Sequence, residues 1–436
     1  MSFTSFQLQP SLLRAVEEMG FAEPTAIQTD AIPAVMAGRD VLACAVTGSG
    51  KTAAFLLPTL HRLAGGPPRV NGSRRGVTRA LVLAPTRELA AQIDEHRGKL
   101  ARHAGITGAA IFGGVSMEPQ EQAFRRGVDV LVATPGRLLD HFRFPYARLE
   151  GIEVLVLDEA DRMLDMGFLP DIRRILKHLT AKRQTLLFSA TMPPPIVTLS
   201  REMLRDPVTI NVERPAAPAS GITHTAYAVP RELKSALFLE LLKQPGVKSV
   251  LAFTRTKHRA NRLADFLARQ DVAVDRIHGN RSQAQRTRAM AEFKAGRTRV
   301  LVATDIAARG IDINALSHVV NFDVPGLPED YIHRVGRTAR LAATGEALTL
   351  VSPDEEADLR TIERAVATRI ARLTLAGFDY GMKPAGRFEV PLADRIAAIR
   401  ARRTQERSRS HAKATERGRH FTRTGAAGAP SAARSM

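Results

Sequence analysis

The 436-residue chain carries 63 Lys and Arg against 44 Asp and Glu, a formal charge of +19, and 44% apolar residues. That composition suffices for packed cores and predicts about three domains, or two with a tail. The positive excess points to a polyanionic partner, nucleic acid ahead of a membrane surface. No apolar run approaches the roughly 18 residues a membrane helix needs, so no transmembrane helix is expected.

The N-terminal Met1-Ser2-Phe3-Thr4 lacks a basic segment followed by an apolar core, so no secretory signal is expected. The single cysteine, Cys44, cannot form an internal disulfide, which agrees with a reducing cytoplasm, and packing is its expected role.

From about residue 40 to 210, short β-rich runs alternate with helical stretches. Residues 40–45, 79–84, 129–133, 152–157 and 184–188 read as parallel strands, apolar throughout because both faces are covered. Residues 211–220, with two prolines among small residues, have linker composition. A second α/β series follows, with strands at 247–253, 273–278, 299–303, 318–322 and 346–351 and helices at 257–269 and 283–294. The reading is two tandem doubly wound parallel-sheet domains of α/β class: 1–210, a linker at 211–220, and 221–381.

From Met382 onward, thirteen basic residues face four acidic ones, about half of the chain's excess charge. Such a segment cannot bury enough apolar surface to fold alone, so 382–436 reads as a basic, disordered tail with at most a short helix at 391–404.

Two motifs carry the chemistry. Ala45-Val46-Thr47-Gly48-Ser49-Gly50-Lys51-Thr52 follows the first apolar run, and Asp158-Glu159-Ala160-Asp161 follows the fourth. A glycine-bearing loop before a helix presents N–H groups to phosphates; Lys51 suits the β/γ-phosphates and Thr52 a Mg²⁺ ion. A carboxylate at the end of a second buried strand, Asp158, suits the same metal. The phosphate-loop pattern normally opens with Gly, where this chain has Ala45. The second α/β series has no phosphate loop of its own, so one nucleotide site shared across a cleft is expected.

In this order the motifs resemble the DEAD-box RNA helicases, over residues 1 to 375, most nearly the bacterial RhlE-type group. The resemblance implies ATP and Mg²⁺ as cofactors and RNA as partner, with ribosomal or RNA-decay assemblies as candidate partners and no membrane. Gly20-Phe21-Ala22-Glu23-Pro24-Thr25-Ala26-Ile27-Gln28 is similar to the Q motif, assigning Gln28 to the adenine edge, Phe21 to stacking and Phe3 to support. The RNA-backbone motifs map onto Pro85, Thr86, Arg87, Gly113, Gly114, Thr134 and Arg137 in the first lobe. In the second they map onto Arg255, Gln283, Arg286, Thr304 and Gly310, with Asp312 on the ATP ribose.

Ser189, Ala190 and Thr191, together with Asp161, His333 and Arg334, match segments coupling hydrolysis to unwinding. Tyr331–Arg340 resembles the arginine-finger motif. Spacing of three would set Arg334, Arg337 and Arg340 on one helix-like face, with Arg337 and Arg340 reaching the γ-phosphoryl. Ala339 stands where the family usually has Gly, which bears on Arg340. Glu159 is assigned to the attacking water, beside Asp158 and Lys51. Two other readings share much of this pattern: an ATP-gated RNA clamp that unwinds little, and a DNA-translocating helicase, against which Gln28 and the Asp-Glu-Ala-Asp segment argue.

Overall fold

The computed structural model describes residues 2–45, 48–65, 77–212, 221–308, 316–338 and 345–382, with Ile306 by its backbone only. Met1–Phe378 form one compact unit, which contains two seven-stranded sheets. The first sheet comprises β1 (Val41–Cys44), β2 (Ala80–Leu83), β3 (Gly108–Ile111), β4 (Val130–Ala133), β5 (Val154–Leu157), β6 (Gln184–Ser189) and β7 (Val208–Asn211). The second comprises β8 (Ile222–Ala228), β9 (Val250–Phe253), β10 (Val274–Ile277), β11 (Val300–Ala303), β12 (His318–Asn321), β13 (Gly345–Val351) and β14 (Ala371–Leu373).

Every pairing is parallel, and the orders are β3-β4-β2-β5-β6-β1-β7 and β10-β11-β9-β12-β13-β8-β14. Adding seven to each strand number of the first sheet reproduces the second. One topology therefore occurs twice. Parallel strands need crossover connections, and the helices that make them cover both faces, so β2, β4, β5, β6, β9, β11 and β12 are buried along their whole length. That burial is why β2, β4, β5, β9 and β11 read as unbroken apolar runs, while β6 and β12 keep apolar centres between polar ends.

The sequence reading had five strands per lobe, and four escaped it. β3 is Gly-Ala-Ala-Ile, and β7 carries an exposed Thr209 and an exposed Asn211, the first residue of the expected linker. β8 carries the polar run Thr223-His224-Thr225, and β14 is exposed at all three positions. Three of the four lie at sheet edges, where one neighbouring strand replaces two and continuous hydrophobicity is not required. The tail from residue 383, including the suggested 391–404 helix, lies outside the described residues.

Candidate functional site

The carboxyl ends of the first sheet's central strands converge on one cavity of about 600 Å³. Its walls include Gly48, Gly50, Lys51 and Thr52 after β1, Asp158 and Glu159 after β5, Phe3, Phe21, Thr25 and Gln28 from the N-terminal segment, and Arg337 from the second lobe. This is the crevice position in which doubly wound sheets hold ligands.

Lys51 opens the Lys51–Ala64 helix behind Gly50, which has φ +96°. Its ammonium is buried and donates to the Ala45 carbonyl at 2.9 Å. Ala45 itself is buried, hydrogen-bonds Ser189 through its N–H, and is not among the positive-φ residues. Its methyl therefore costs nothing where the usual pattern has glycine. At Gly50 the reverse holds: a Cβ there would meet Gln28 Nε2 at 2.4 Å and Thr25 Oγ1 at 2.9 Å. The missing side chain lets the Q-like segment sit directly on the phosphate loop. Gln28 donates to the Gly50 carbonyl at 3.1 Å and accepts from the Thr25 N–H at 3.0 Å, while Thr25 donates to the Ser49 carbonyl at 2.7 Å. A glutamine amide has two donors and an acceptor oxygen with two lone pairs, so one of each remains for a base edge. Phe21 packs beside buried Phe3 with centroids 6.1 Å apart. Val46 and Thr47 lie outside the described residues.

Asp158 follows β5 and is almost fully buried; Glu159 donates its N–H to Asp158 Oδ1 at 3.0 Å. Burial pushes the Asp158 carboxyl up to about 7, with Lys51 opposing the rise and Glu159 adding to it. A buried carboxylate undercompensated by its surroundings is the donor expected where a cation belongs. Together with the Thr52 hydroxyl it fits Mg²⁺, which takes few protein ligands and completes its shell with water and phosphate oxygens. Glu159 has φ +52°, a left-handed backbone that non-glycine residues adopt at a cost, and this turn aims it into the cavity.

Asp161 turns away from the cavity. Its Oδ2 accepts from both the N–H and the hydroxyl of Thr191 at 2.9 Å, and its own N–H donates to Ser189 Oγ at 3.1 Å. Ser189, Thr191 and Asp161 thus form one hydrogen-bonded unit, with Ala190 buried between. The adjacent Arg162 reaches Asp330 of the second lobe at 3.3 Å.

Arg334 and Arg337, expected on one helix-like face, do not share it. The helix Pro328–Val335 ends before Arg337, and Arg337 follows in a turn closed by its N–H on the Arg334 carbonyl. Arg334 points into its own lobe: it makes a two-pronged pair with Asp305 at 2.6 and 2.8 Å, donates to Asn321 Oδ1 and the Asp323 carbonyl, and lies 5.0 Å from the Phe253 ring centre. Of these two described arginines it is Arg337, 7% exposed, that lines the cavity. His333 is half-buried on the same helix. Arg340, Ala339, Gly310 and Asp312 lie outside the described residues.

The residues expected to meet RNA sit directly after strands in both lobes. Pro85 is buried after β2, and Thr86 caps the Arg87–Leu100 helix by accepting from the Leu89 N–H at 3.2 Å. Arg87 lies where a side chain on Gly114 would stand, a Cβ there meeting its Nη1 at 2.0 Å, and it also touches Gly113. Thr134 opens the Pro135–His141 helix, from which Arg137 donates to the Val115 carbonyl at 3.1 Å. In the second lobe Arg255 is exposed yet tethered to Asp358 and the Val324 carbonyl, and Thr304 precedes the short Asp305–Ala308 helix.

Gln283 and Arg286 also make contacts between the lobes. They meet Glu88 of the first lobe at 3.1 and 3.0 Å, so in this arrangement they bridge the lobes. The sequence reading missed Glu88, Arg162 and Asp330, and it missed Gln92 and His96, which with Leu89, Ile93 and Leu100 give the cavity a wall. That wall has helical spacing, but nothing in the sequence says which partner faces it. Among the described residues no helix is long and apolar enough to cross a membrane.

Comparison with known proteins agrees with this geometry. Residues 25–199 match the family model for the DEAD/DEAH box helicase, and residues 233–342 that for the helicase conserved C-terminal domain. The chain is 39% identical over 382 residues to the DEAD-box ATP-dependent RNA helicase CshA of Geobacillus kaustophilus, covering 88% of this chain and 80% of that protein. Against the same-named protein of Bacillus subtilis it is 39% identical over 383 residues, covering 88% and 76%. Among solved structures, S. cerevisiae Dbp5 bound to RNA and ADP BeF3 matches with TM-score 0.76 at 32% identity, covering 86% of this chain and 95% of that one. A Dbp5 variant bound to a Gle1 variant and IP6 gives 0.68 at 32% identity, covering 87% and 96%.

Proposed function

The chain belongs to the DEAD-box ATP-dependent RNA helicases, and from that premise we propose that it separates short RNA duplexes locally by closing two lobes over ATP and RNA. It is an RNA-dependent ATPase of RecA-like fold that binds RNA. The observation that carries the mechanism is Arg337 of the second lobe in one cavity with Lys51, Asp158 and Glu159 of the first.

In this reading Phe21 stacks on adenine, Gln28 reads its edge, and Lys51 with the N–H groups of 45–52 holds the triphosphate. Thr52 and Asp158 would hold Mg²⁺, which supplies charge neutralisation on the phosphate oxygens. Glu159 orients the attacking water. Arg337 stabilises charge on the transferring phosphoryl and is in place only when the lobes meet, so turnover depends on closure. Arg340 and Asp312 are assigned the γ-phosphoryl and the ribose on the family pattern alone.

RNA held by Pro85, Thr86, Arg87, Gly113, Gly114, Thr134 and Arg137 on one side, and by Arg255, Gln283, Arg286, Thr304 and Gly310 on the other, favours the same closure. ATP and RNA therefore reinforce one another's binding. The unit of Asp161, Ser189 and Thr191, with Arg162 on Asp330, relays the state of the nucleotide to the segment of His333 and Arg334. A single strand bent across the closed lobes cannot remain in an A-form duplex, and the strands part.

Functionally we divide the chain at 1–210, 211–220, 221–381 and 382–436, with the last segment a basic RNA-binding tail. The RhlE-type subgroup is likewise our proposal, whereas the relatives named above are of the CshA type. The cytoplasm is the proposed compartment, on the strength of the lone Cys44. A strand-displacement assay on a short RNA duplex tests the mechanism. Wild type is expected to release the strand with ATP, and Glu159→Gln to bind ATP and RNA yet release little; hydrolysis without displacement would make the protein an ATP-gated clamp.

A further inference from the structure

Outside the cavity, the segment Phe142-Arg143-Phe144-Pro145-Tyr146-Ala147-Arg148, between the Pro135–His141 helix and β5, breaks the rule by which this fold hides its rings. Phe144 is 46% exposed and is the only large aromatic exposed among the described residues. Its ring is nevertheless held. It stacks on Tyr146 with centroids 5.5 Å apart and planes 5° from parallel. Tyr146 is anchored in turn: its hydroxyl hydrogen-bonds His141 Nδ1 at 3.0 Å, its ring lies 6.0 Å from buried Phe124, and the Arg125 guanidinium sits 5.1 Å from its centre. His141 is fully buried, and burial lowers its pKa to about 4, so the imidazole stays neutral and holds the hydroxyl without placing a charge in the core.

The surroundings are basic. Arg125, Arg126, Arg143 and Arg148 are exposed, and residues 141–149 contain no acid. Glu121 pairs with Arg125 at 2.7 Å, and Asp140 and Glu150 flank the segment. A lone ring amid arginines offers too little apolar area for a protein partner, which would need a contiguous apolar patch. It does suit a ligand with a π-face and a polyanionic backbone: a base stacks on the ring while the guanidinium groups meet phosphate. The helix carrying Arg137 spans seven residues, so its far end, three residues before Phe144, lies roughly 10 Å from the phosphate-contact motif at its start.

We propose that Phe144, backed by Tyr146 and Arg125, is a stacking platform for a base of the single-stranded RNA that runs on beyond the first lobe's backbone motifs. The proposal rests on the RNA-helicase reading. Stacking on a ring is tolerant of sequence, so the platform would extend the footprint without adding base preference.

RNA-stimulated ATPase of the full-length protein, measured against oligouridylates of about six and about sixteen nucleotides, spans the usual range of single-strand site sizes and tests it. Phe144→Ala is expected to raise the half-saturating concentration of the longer strand roughly tenfold, within the range for one stacked base. The shorter strand, filling the backbone motifs alone, should respond equally to both proteins, and Phe144→Trp should behave as wild type. Turnover at saturating RNA should not change. An unaltered response to the longer strand, or an equal loss with both strands, overturns the platform. Absence of stimulation of wild type by either strand would overturn the helicase reading and the platform with it.

Discussion

The two sheets share one strand order, and corresponding strand ends carry corresponding devices put to different uses. After β2 and its counterpart β9, Thr86 and Thr256 each cap a helix by accepting from the N–H three residues on, at 3.2 Å in both cases. After β4 and β11, Thr134 and Thr304 each precede a helix. These strand ends of the two lobes are thus built alike. The ends of β5 and β12 part company. Asp158 receives one N–H, and burial raises its pKa. Asp323, fully buried, accepts from the Arg255 N–H at 2.8 Å and faces Arg259 at 3.0 Å. One carboxylate is left undercompensated and the other is neutralised. After β1 comes a phosphate loop; after β8 comes Val229-Pro230 and a short turn. The proposed mechanism makes the first lobe the nucleotide site and the second a scaffold that delivers Arg337 to it.

This division of labour can be broken most severely at Arg337. Arg337→Ala is expected to lower RNA-stimulated turnover roughly 10³-fold or more, the usual share of an arginine finger, with ATP affinity little changed. Steady-state ATPase together with nucleotide titration checks this; a comparable fall in ATP affinity would mean that Arg337 serves binding.

The paired aspartates give the next largest contrast. Asp323→Ala leaves Arg259 facing a buried gap and should cost about 3–5 kcal/mol of stability in a denaturant titration. Asp158→Asn should remove turnover yet spare the fold of the nucleotide- and magnesium-free protein. The sign follows from the raised pKa. Folded Asp158 holds its proton to about pH 7, whereas the unfolded group releases it near 4, so stability drains away as pH rises between those values. The Asp158→Asn protein should show a flatter decline across that window than wild type. An identical pH profile would mean that Asp158 is better compensated than its burial indicates.

The smallest effect sharpens the comparison at the Q-like segment, which has no counterpart in the second lobe. Gln28→Ala should erode preference for ATP over GTP by roughly tenfold in kcat/KM, since an unmet buried polar group costs about 1–3 kcal/mol. The Gln28 amide also braces Gly50, so a uniform loss for both nucleotides with the ratio intact would reduce it to a loop brace.

Residue order carries whatever burial or backbone geometry imprints on chain neighbours. The central strands were legible because two covered faces demand unbroken apolar runs, as in β4, Val-Leu-Val-Ala. The motifs at their ends were legible because phosphate loops and strand-end carboxylates need fixed residue types at fixed spacing, as at 45–52 and 158–161. Edge strands such as β3 and β14 were not, since a half-exposed strand places weak demands on composition. Tertiary structure alone decided which charges meet. Arg334 and Arg337 are three residues apart, yet one is locked onto Asp305 and the other enters the nucleotide cavity, because the helix stops at Val335. Glu88 meets Arg286, and Arg162 meets Asp330, across 198 and 168 positions of chain. Local periodicity is set by nearest neighbours in sequence, whereas a pair across two lobes depends on how both sheets are placed, and no local pattern records that.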